Sequence, residues 1–176
     1  MSDFSHIYNV LEDNKNNQWQ FDADDTQRSA LAERFDVIAV HKFNGSMTIN
    51  PWGDDYKMTA SYHAVVDQAC VISGQPVSET IDEDFEIIIH VGEEPEDQPL
   101  DEEEMLEEDD IEYSLDGKVD VAEIFAQYLA TGLNPFPRSE GVDISEMSTP
   151  AGVDIKTEEE VKEASNPFAA LKDLKK

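Results

Sequence analysis

The stretch YKMTASYHAVVDQACVISGQPVSETIDEDFEIIIHV, residues 56–91, decides the fold. Its first half places apolar side chains at every second position, and in its second half Phe85, Ile87 and Ile89 share one face. A period of two is typical of strands with one buried face. Ser-Gly-Gln-Pro at 73–76 indicates a turn between the halves. We therefore expect antiparallel strands at 56–72 and 77–91, with a bulge or bend near residues 67–70 because the first run is long.

Upstream of this hairpin, the pattern predicts short strands at 4–11 and 18–22 and a helix over 23–35. Asp24, Asp25 or Thr26 can cap that helix, and acidic side chains suit its N-terminus. The period then returns to two in VIAVHKF (37–43) and SMTINPW (46–52). Asn44-Gly45 lies between these runs and is a strong hairpin signal, so we expect a turn there.

Downstream, one amphipathic helix stands between polar segments. Residues 93–112 contain 13 acidic and no basic residues, which predicts a disordered linker. Asp116 or Asp120 can cap the helix that follows, and Gly132 with Pro135 ends it. Its apolar stripe, which should lie on the sheet, comprises Val121, Ile124, Phe125, Tyr128 and Leu129.

These elements together predict an α+β fold. We expect a twisted, mostly antiparallel sheet, able to curl into an open barrel, with two helices packed on it. One domain would span residues 1–138, interrupted by the linker at 93–112. Residues 139–176 would form a flexible tail that ends in a docking segment at 166–176.

The charge of the chain is extreme, with 41 acidic and 12 basic residues and a net charge of −29. Tight binding to nucleic acid normally requires a lysine- and arginine-rich surface, so any contact with RNA should be local or pass through a basic protein. The single cysteine excludes an internal disulfide and indicates a reducing compartment. Without an apolar run long enough for a membrane span or a visible signal peptide, we expect a cytoplasmic protein.

Cys70 is the one cysteine, and it could be a nucleophile, the remnant of a metal site or a small packing residue. Its acidic neighbours, which include Asp67, Glu79, Asp82 and Glu83, should raise the pKa of the thiol and disfavour a thiolate. We therefore expect a buried packing residue.

No catalytic or cofactor motif is present in the chain. The histidines, at positions 6, 41, 63 and 90, lack metal-ligand spacing, and no phosphate-binding glycine loop or nucleophile elbow occurs. We expect neither catalysis nor a cofactor. A metal-dependent hydrolase or nuclease, with carboxylate and histidine ligands, is the alternative, and an acidic nucleic-acid mimic is another.

Two further segments stand out. Asn134-Pro135-Phe136-Pro137-Arg138 places an aromatic and a basic residue in a rigid proline frame. It is either a helix stop whose ring packs on the sheet or an exposed recognition corner. The terminal segment NPFAALKDLKK places Phe168, Leu171 and Leu174 at helical spacing.

Three landmarks in order resemble the YceD family, the large ribosomal RNA subunit accumulation proteins, and most of all its alphaproteobacterial branch. QACVISGQPV (68–77) is similar to the family's Q-x-C-x-x-C-L-x-P-V turn. NPFPR (134–138), after an acidic stretch and a helix, is similar to D-P-Y-P-R. NPFAAL (166–171) is similar to a P-F-A-A-L ending. These landmarks suggest a candidate interaction set, consisting of Cys70, Pro76, Asn134, Pro135, Phe136, Pro137, Arg138, Pro167, Phe168 and Leu171.

The resemblance implies a role in 23S ribosomal RNA accumulation and large-subunit assembly. We interpret the chain as an adaptor without enzymatic activity, whose acidic surface holds a basic ribosomal protein or processing factor on a precursor of the large subunit. Many members have a second cysteine where this chain has Ser73, and a further cluster after the helix. Since one of those four thiolates remains here, we expect no zinc site.

Overall fold

The computed structural model describes residues 4–12, 17–93 and 110–141. The elements in chain order are β1 (Ile7–Asn9), β2 (Gln18–Asp22), α1 (Asp25–Arg34), β3 (Ala39–Trp52), β4 (Asp55–Ala69), β5 (Pro76–Val91), β6 (Ile111–Ser114), β7 (Lys118–Asp120) and α2 (Val121–Gly132).

The main sheet has the strand order β2-β3-β4-β5-β6 and is not closed into a barrel. Neighbouring strands are antiparallel, except that β6 runs parallel to β5. A second sheet consists of β1 and β7, which pair antiparallel. The α+β class with two helices is thus confirmed.

The central hairpin of β4 and β5 confirms the period of two. Met58, Ala60, Tyr62, Ala64 and Val66 are buried, and the residues between them are exposed or half-buried. On β5, Phe85, Ile87 and Ile89 are buried in the same way. One face of the sheet therefore carries the core and the other faces solvent.

The predicted hairpin turn at Asn44-Gly45 is wrong, because β3 runs straight through both residues. Gly45 pairs with Phe21 of β2 and with Tyr62 of β4. A Cβ at Gly45 would lie 2.7 Å from the Ser61 carbonyl oxygen and 2.8 Å from the Phe21 ring. The glycine serves close packing inside a strand, and the turn lies at Gly53, which has a φ of 64°.

The sequence predicts a bulge or bend at residues 67–70, and β4 has no bulge there. The β4–β5 register is regular from Tyr56 to Ala69. The irregularity is on β3, between Val40 and Lys42, opposite Val65 and Val66. A bulge is one extra residue on one of two paired strands, and either strand can carry it. The pattern of β4 alone therefore does not show where the bulge lies.

Both helices agree with the sequence. Asp24 caps α1 in a capping box with Gln27, in which each side chain accepts the other residue's backbone N–H at 2.9 Å. Asp120 caps α2 and accepts from the Glu123 N–H.

Helix α2 packs on the core face of the sheet as expected. The Phe125 ring lies edge-on to Phe21 of β2 and to Phe85 of β5, with centroids 4.9 and 5.3 Å away. This contact holds the first half of α2 against the core face of the sheet.

Strands β6 and β7 are elements that the pattern did not predict. Ile111 and Glu112, at the C-terminal end of the segment predicted as a linker, belong to β6. Residues 94–109 and the segment from 142 onward, including the predicted docking segment, lie outside the described residues.

Candidate interaction site

Loop 70–75 joins β4 to β5 as a tight turn. The Cys70 N–H donates to the Gln75 carbonyl at 2.8 Å, and the Gly74 N–H donates to the Cys70 carbonyl at 2.8 Å. Gly74 has a φ of 71°, which glycine adopts without strain. Pro76 then begins β5 opposite Ala69. In this turn Ser73 and Gly74 depart from the Q-x-C-x-x-C-L-x-P-V pattern. The backbone conformation at position 74 is one that suits glycine.

The segment after α2 forms a second turn. The Asn134 side-chain oxygen accepts the Phe136 N–H at 2.9 Å, which bends the chain around Pro135. Pro137 is buried, whereas Phe136 and Arg138 are exposed. The proline frame therefore turns its ring and its cation outward.

Hydrogen bonds join these two turns, which are more than 60 residues apart in the chain. The Val71 N–H donates to the Pro137 carbonyl at 2.9 Å. The Gln68 side-chain amide donates to the Asn134 carbonyl at 3.0 Å. The structure thus brings two of the sequence landmarks into one unit, and we call residues 70–75 and 134–139 the proline corner.

The proline corner exposes apolar surface. Phe136 is 67% exposed and Val71 is 43% exposed, and Arg138, two residues after Phe136, is also exposed. The sequence left open whether Phe136 packs on the sheet, and its exposure favours a recognition corner. Exposed aromatic and arginine side chains are the residue types that most often anchor protein interfaces.

Cys70 is buried, with 3% exposure, as expected for a packing residue. The expectation that acidic neighbours raise its pKa is wrong. Hydrogen bonds from the Ser73 side chain and from the backbone N–H groups of Ser139 and Ser73 lower the pKa of the thiol to about 6. The two N–H groups lie 3.4 and 3.5 Å from Sγ. Asp67, Asp82 and Glu83 instead contact His41, His63 and Tyr62, partners that the linear sequence does not reveal.

The residues around Cys70 do not fit a zinc ion. Structural zinc requires four thiolate or imidazole ligands, and the groups here are one thiol, the Ser73 hydroxyl and N–H donors aimed at the sulfur. Among residues 4–12, 17–93 and 110–141, no three histidine, cysteine or acidic side chains could hold a metal ion together.

Tyr62 anchors α2 next to the proline corner. Its hydroxyl lies 2.8 Å from Glu83 Oε2 and 3.1 Å from the Tyr128 carbonyl. Burial and the bond to Glu83 raise the pKa of Tyr62. Gly132, the last residue of α2, lies so close that a Cβ would be 2.7 Å from this hydroxyl. Close packing at this point sets where the chain leaves the helix.

Three histidines form ion-pair contacts with aspartates of neighbouring strands. The pairs are His41–Asp67 at 2.8 Å, His63–Asp82 at 2.7 Å and His90–Asp55 at 2.6 Å. Cross-strand partners depend on register, so sequence spacing did not reveal them. Each pair is separate from the others, and this arrangement resembles ordinary sheet pairing more than a catalytic cluster.

Pro167, Phe168 and Leu171 lie outside the described residues, so their relation to the proline corner stays a prediction. Within the described part of the chain, no helix combines the length and apolar character that crossing a membrane requires.

A family model described as "Large ribosomal RNA subunit accumulation protein YceD" matches residues 58–175, more than half of the chain. No curated protein and no solved structure matches the chain significantly. The matched range begins in β4 and includes both turns of the proline corner.

Proposed function

The chain belongs to the YceD family, whose name implies a role in accumulation of the large-subunit ribosomal RNA, and from this premise we propose that it is a non-enzymatic adaptor in large-subunit assembly. In this role it holds a basic ribosomal protein or processing factor on the precursor particle. RNA contact is then indirect or local.

The observation that supports this proposal most is the proline corner. Two segments that resemble family landmarks meet there, and they expose Phe136, Val71 and Arg138 on a rigid frame. Interfaces are commonly dominated by a few such anchors. The backbone bond from Val71 to Pro137 fixes the frame before a partner arrives, which lowers the entropy cost of binding.

The charge of the chain supports a basic partner. With a net charge of −29, the chain repels the phosphate backbone of RNA and attracts cationic proteins. Attraction of this kind raises the association rate and weakens with salt. The adaptor should therefore capture its partner best at low ionic strength.

The experiment is deletion of the gene followed by complementation. Deletion should lower the ratio of 23S to 16S ribosomal RNA, and the tagged protein should co-purify with large-subunit precursors at low salt. An unchanged ratio after deletion would end the proposal. Mass spectrometry of the captured proteins and sequencing of the captured RNA identify the contacts.

Phe136→Ala tests the corner itself, and Trp52→Ala is the matched control. Both side chains are large, apolar and exposed, at 67% and 59%, but Trp52 lies on β3, outside the range that matches the family. Phe136→Ala should fail to restore the ratio while retaining wild-type stability, and Trp52→Ala should restore it. Full restoration by Phe136→Ala would refute the assignment of the corner.

A further inference from the structure

Among residues 4–12, 17–93 and 110–141, no strand pairs with the outer edge of most of β5. On its inner side, β5 pairs with β4 from Pro76 to Ile89. On its outer side, β6 pairs only with residues 88–91, and the first bond joins the Ile88 N–H to the Asp110 carbonyl at 2.8 Å. Within the described residues, the outer edge of 77–86 therefore has no strand partner. Such an edge presents backbone donors and acceptors that an added strand can use.

This edge is strongly acidic. Strand β5 contains five acidic residues, which all lie at positions 79 to 86, and it contains no lysine or arginine. Glu86 forms an ion pair with Lys57, and Asp82 lies 2.7 Å from the His63 ring nitrogen. Glu79 and Asp84 have no ion-pair partner within the described part of the chain, so the edge keeps uncompensated negative charge.

The charge decides which strand could occupy the edge. A second copy of the chain would bring the same acids, and like charges on paired strands are destabilising. Residues 94–109 would do the same, since they contain ten acidic and no basic residues. A segment rich in lysine or arginine instead places opposite charges beside Glu79 and Asp84.

We propose that the outer edge of β5, residues 77–86, binds an extended lysine- and arginine-rich segment of a partner protein as an added strand. The proposal rests on the proposed adaptor function and names the partner's chemistry. Strand β5, whose outer edge this is, begins directly after the turn at 70–75. Ten residues of strand extend about 33 Å, which reaches from the proline corner to β6.

The test uses the full chain and a labelled decapeptide with lysines on both faces of the strand, because Glu79 and Asp84 lie on opposite faces of β5. Fluorescence anisotropy should detect binding, and hydrogen exchange should show new protection of amides within 77–86. A second peptide, methylated on every internal backbone nitrogen, keeps the lysine charges but cannot donate backbone hydrogen bonds. It should bind at least roughly tenfold more weakly. Equal affinity of the two peptides, or protection elsewhere, would overturn the proposal.

Matched charge reversals test the location. Glu79→Lys with Asp84→Lys should weaken binding of the unmodified peptide by roughly tenfold or more. Glu33→Lys with Asp54→Lys changes net charge equally at exposed sites on α1 and the β3–β4 turn, and should weaken it by about twofold or less. If the reversal on β5 fails to fold, Glu79→Gln with Asp84→Asn is the second variant and should also weaken binding. Equal weakening by the control pair overturns the proposal.

Failure of this inference and failure of the proposed function differ in outcome. If the peptide does not bind but deletion lowers 23S ribosomal RNA, the edge assignment alone is wrong. If the peptide binds but deletion leaves 23S ribosomal RNA unchanged, the edge assignment stands and the adaptor function is wrong.

Discussion

Gly132→Ala should destabilise the protein although alanine favours helices. The new Cβ would lie 2.7 Å from the Tyr62 hydroxyl and 3.3 Å from Glu83 Oε1. Tyr62 is 4% exposed and its hydroxyl is bonded to both Glu83 and Tyr128, so it cannot move aside cheaply. Overpacking of this kind costs about 1–3 kcal/mol. Replacing a helical glycine recovers up to about 1 kcal/mol, so the net loss should lie between about 0 and 3 kcal/mol.

Tyr62→Phe removes the atom that the new Cβ would meet. Alone it should cost about 1–2 kcal/mol, because it leaves the Tyr128 carbonyl without this hydrogen-bond donor. Combined with Gly132→Ala it should cost no more than it does alone. The two substitutions should therefore show a coupling of about 1–3 kcal/mol in a double-mutant cycle.

The assay is urea unfolding of the wild type, both single variants and the double variant, followed by circular dichroism. Equal m-values across the four proteins would show that unfolding remains comparable. Additivity of the two single effects within about 0.5 kcal/mol would refute the close contact between Gly132 and Tyr62. A stabilising Gly132→Ala would refute it as well.

Four further outcomes are expected. Cys70→Ala should destabilise more than Cys70→Ser, since serine keeps an acceptor for the two N–H groups at Sγ, and both should retain function if they fold. In the folded protein the pKa of the Cys70 thiol is about 6, below its ordinary value of 9.0. The thiolate therefore contributes fully to stability above pH 9.0, and this contribution is lost as pH falls through 6. Thermal melts across this pH range should show the loss for the wild type and should not show it for Cys70→Ser. Asp24→Ala removes the α1 cap and should cost about 1 kcal/mol in urea unfolding, and an unchanged midpoint would refute the capping box. Phe43→Ala leaves a cavity at a fully buried site and should lower the free energy of unfolding by about 3–5 kcal/mol in the same assay. A loss well below this range would contradict the burial of Phe43.

The regular elements could be predicted because their signals are local. Strand β2 spans the residues expected, and the capping box at Asp24 and Gln27 marks the start of α1. Likewise, the alternation of apolar and polar residues along β4 and β5 predicts which side chains are buried. Each of these features depends on residues only a few positions apart.

Asn44-Gly45 shows where local signals mislead. The pair has turn chemistry, but strands β2 and β4 flank it and bond to both sides of β3. The burial gained by a continuous strand outweighs the local turn preference. Strands β6 and β7 were missed for the opposite reason, because three or four residues are too few to show a period.

By itself, the sequence determined the α+β class, the two helices, the central hairpin and a strongly acidic surface, because periodicity and charge are properties of neighbouring residues. Only the tertiary structure decided that the Cys70 turn meets residues 134–139, that the Cys70 pKa falls and that no strand of the described residues pairs with the outer edge of β5 at 77–86. Those features depend on contacts between residues as far apart as Cys70 and Ser139. Such contacts follow from the packing of α2 on the sheet, which no local pattern contains.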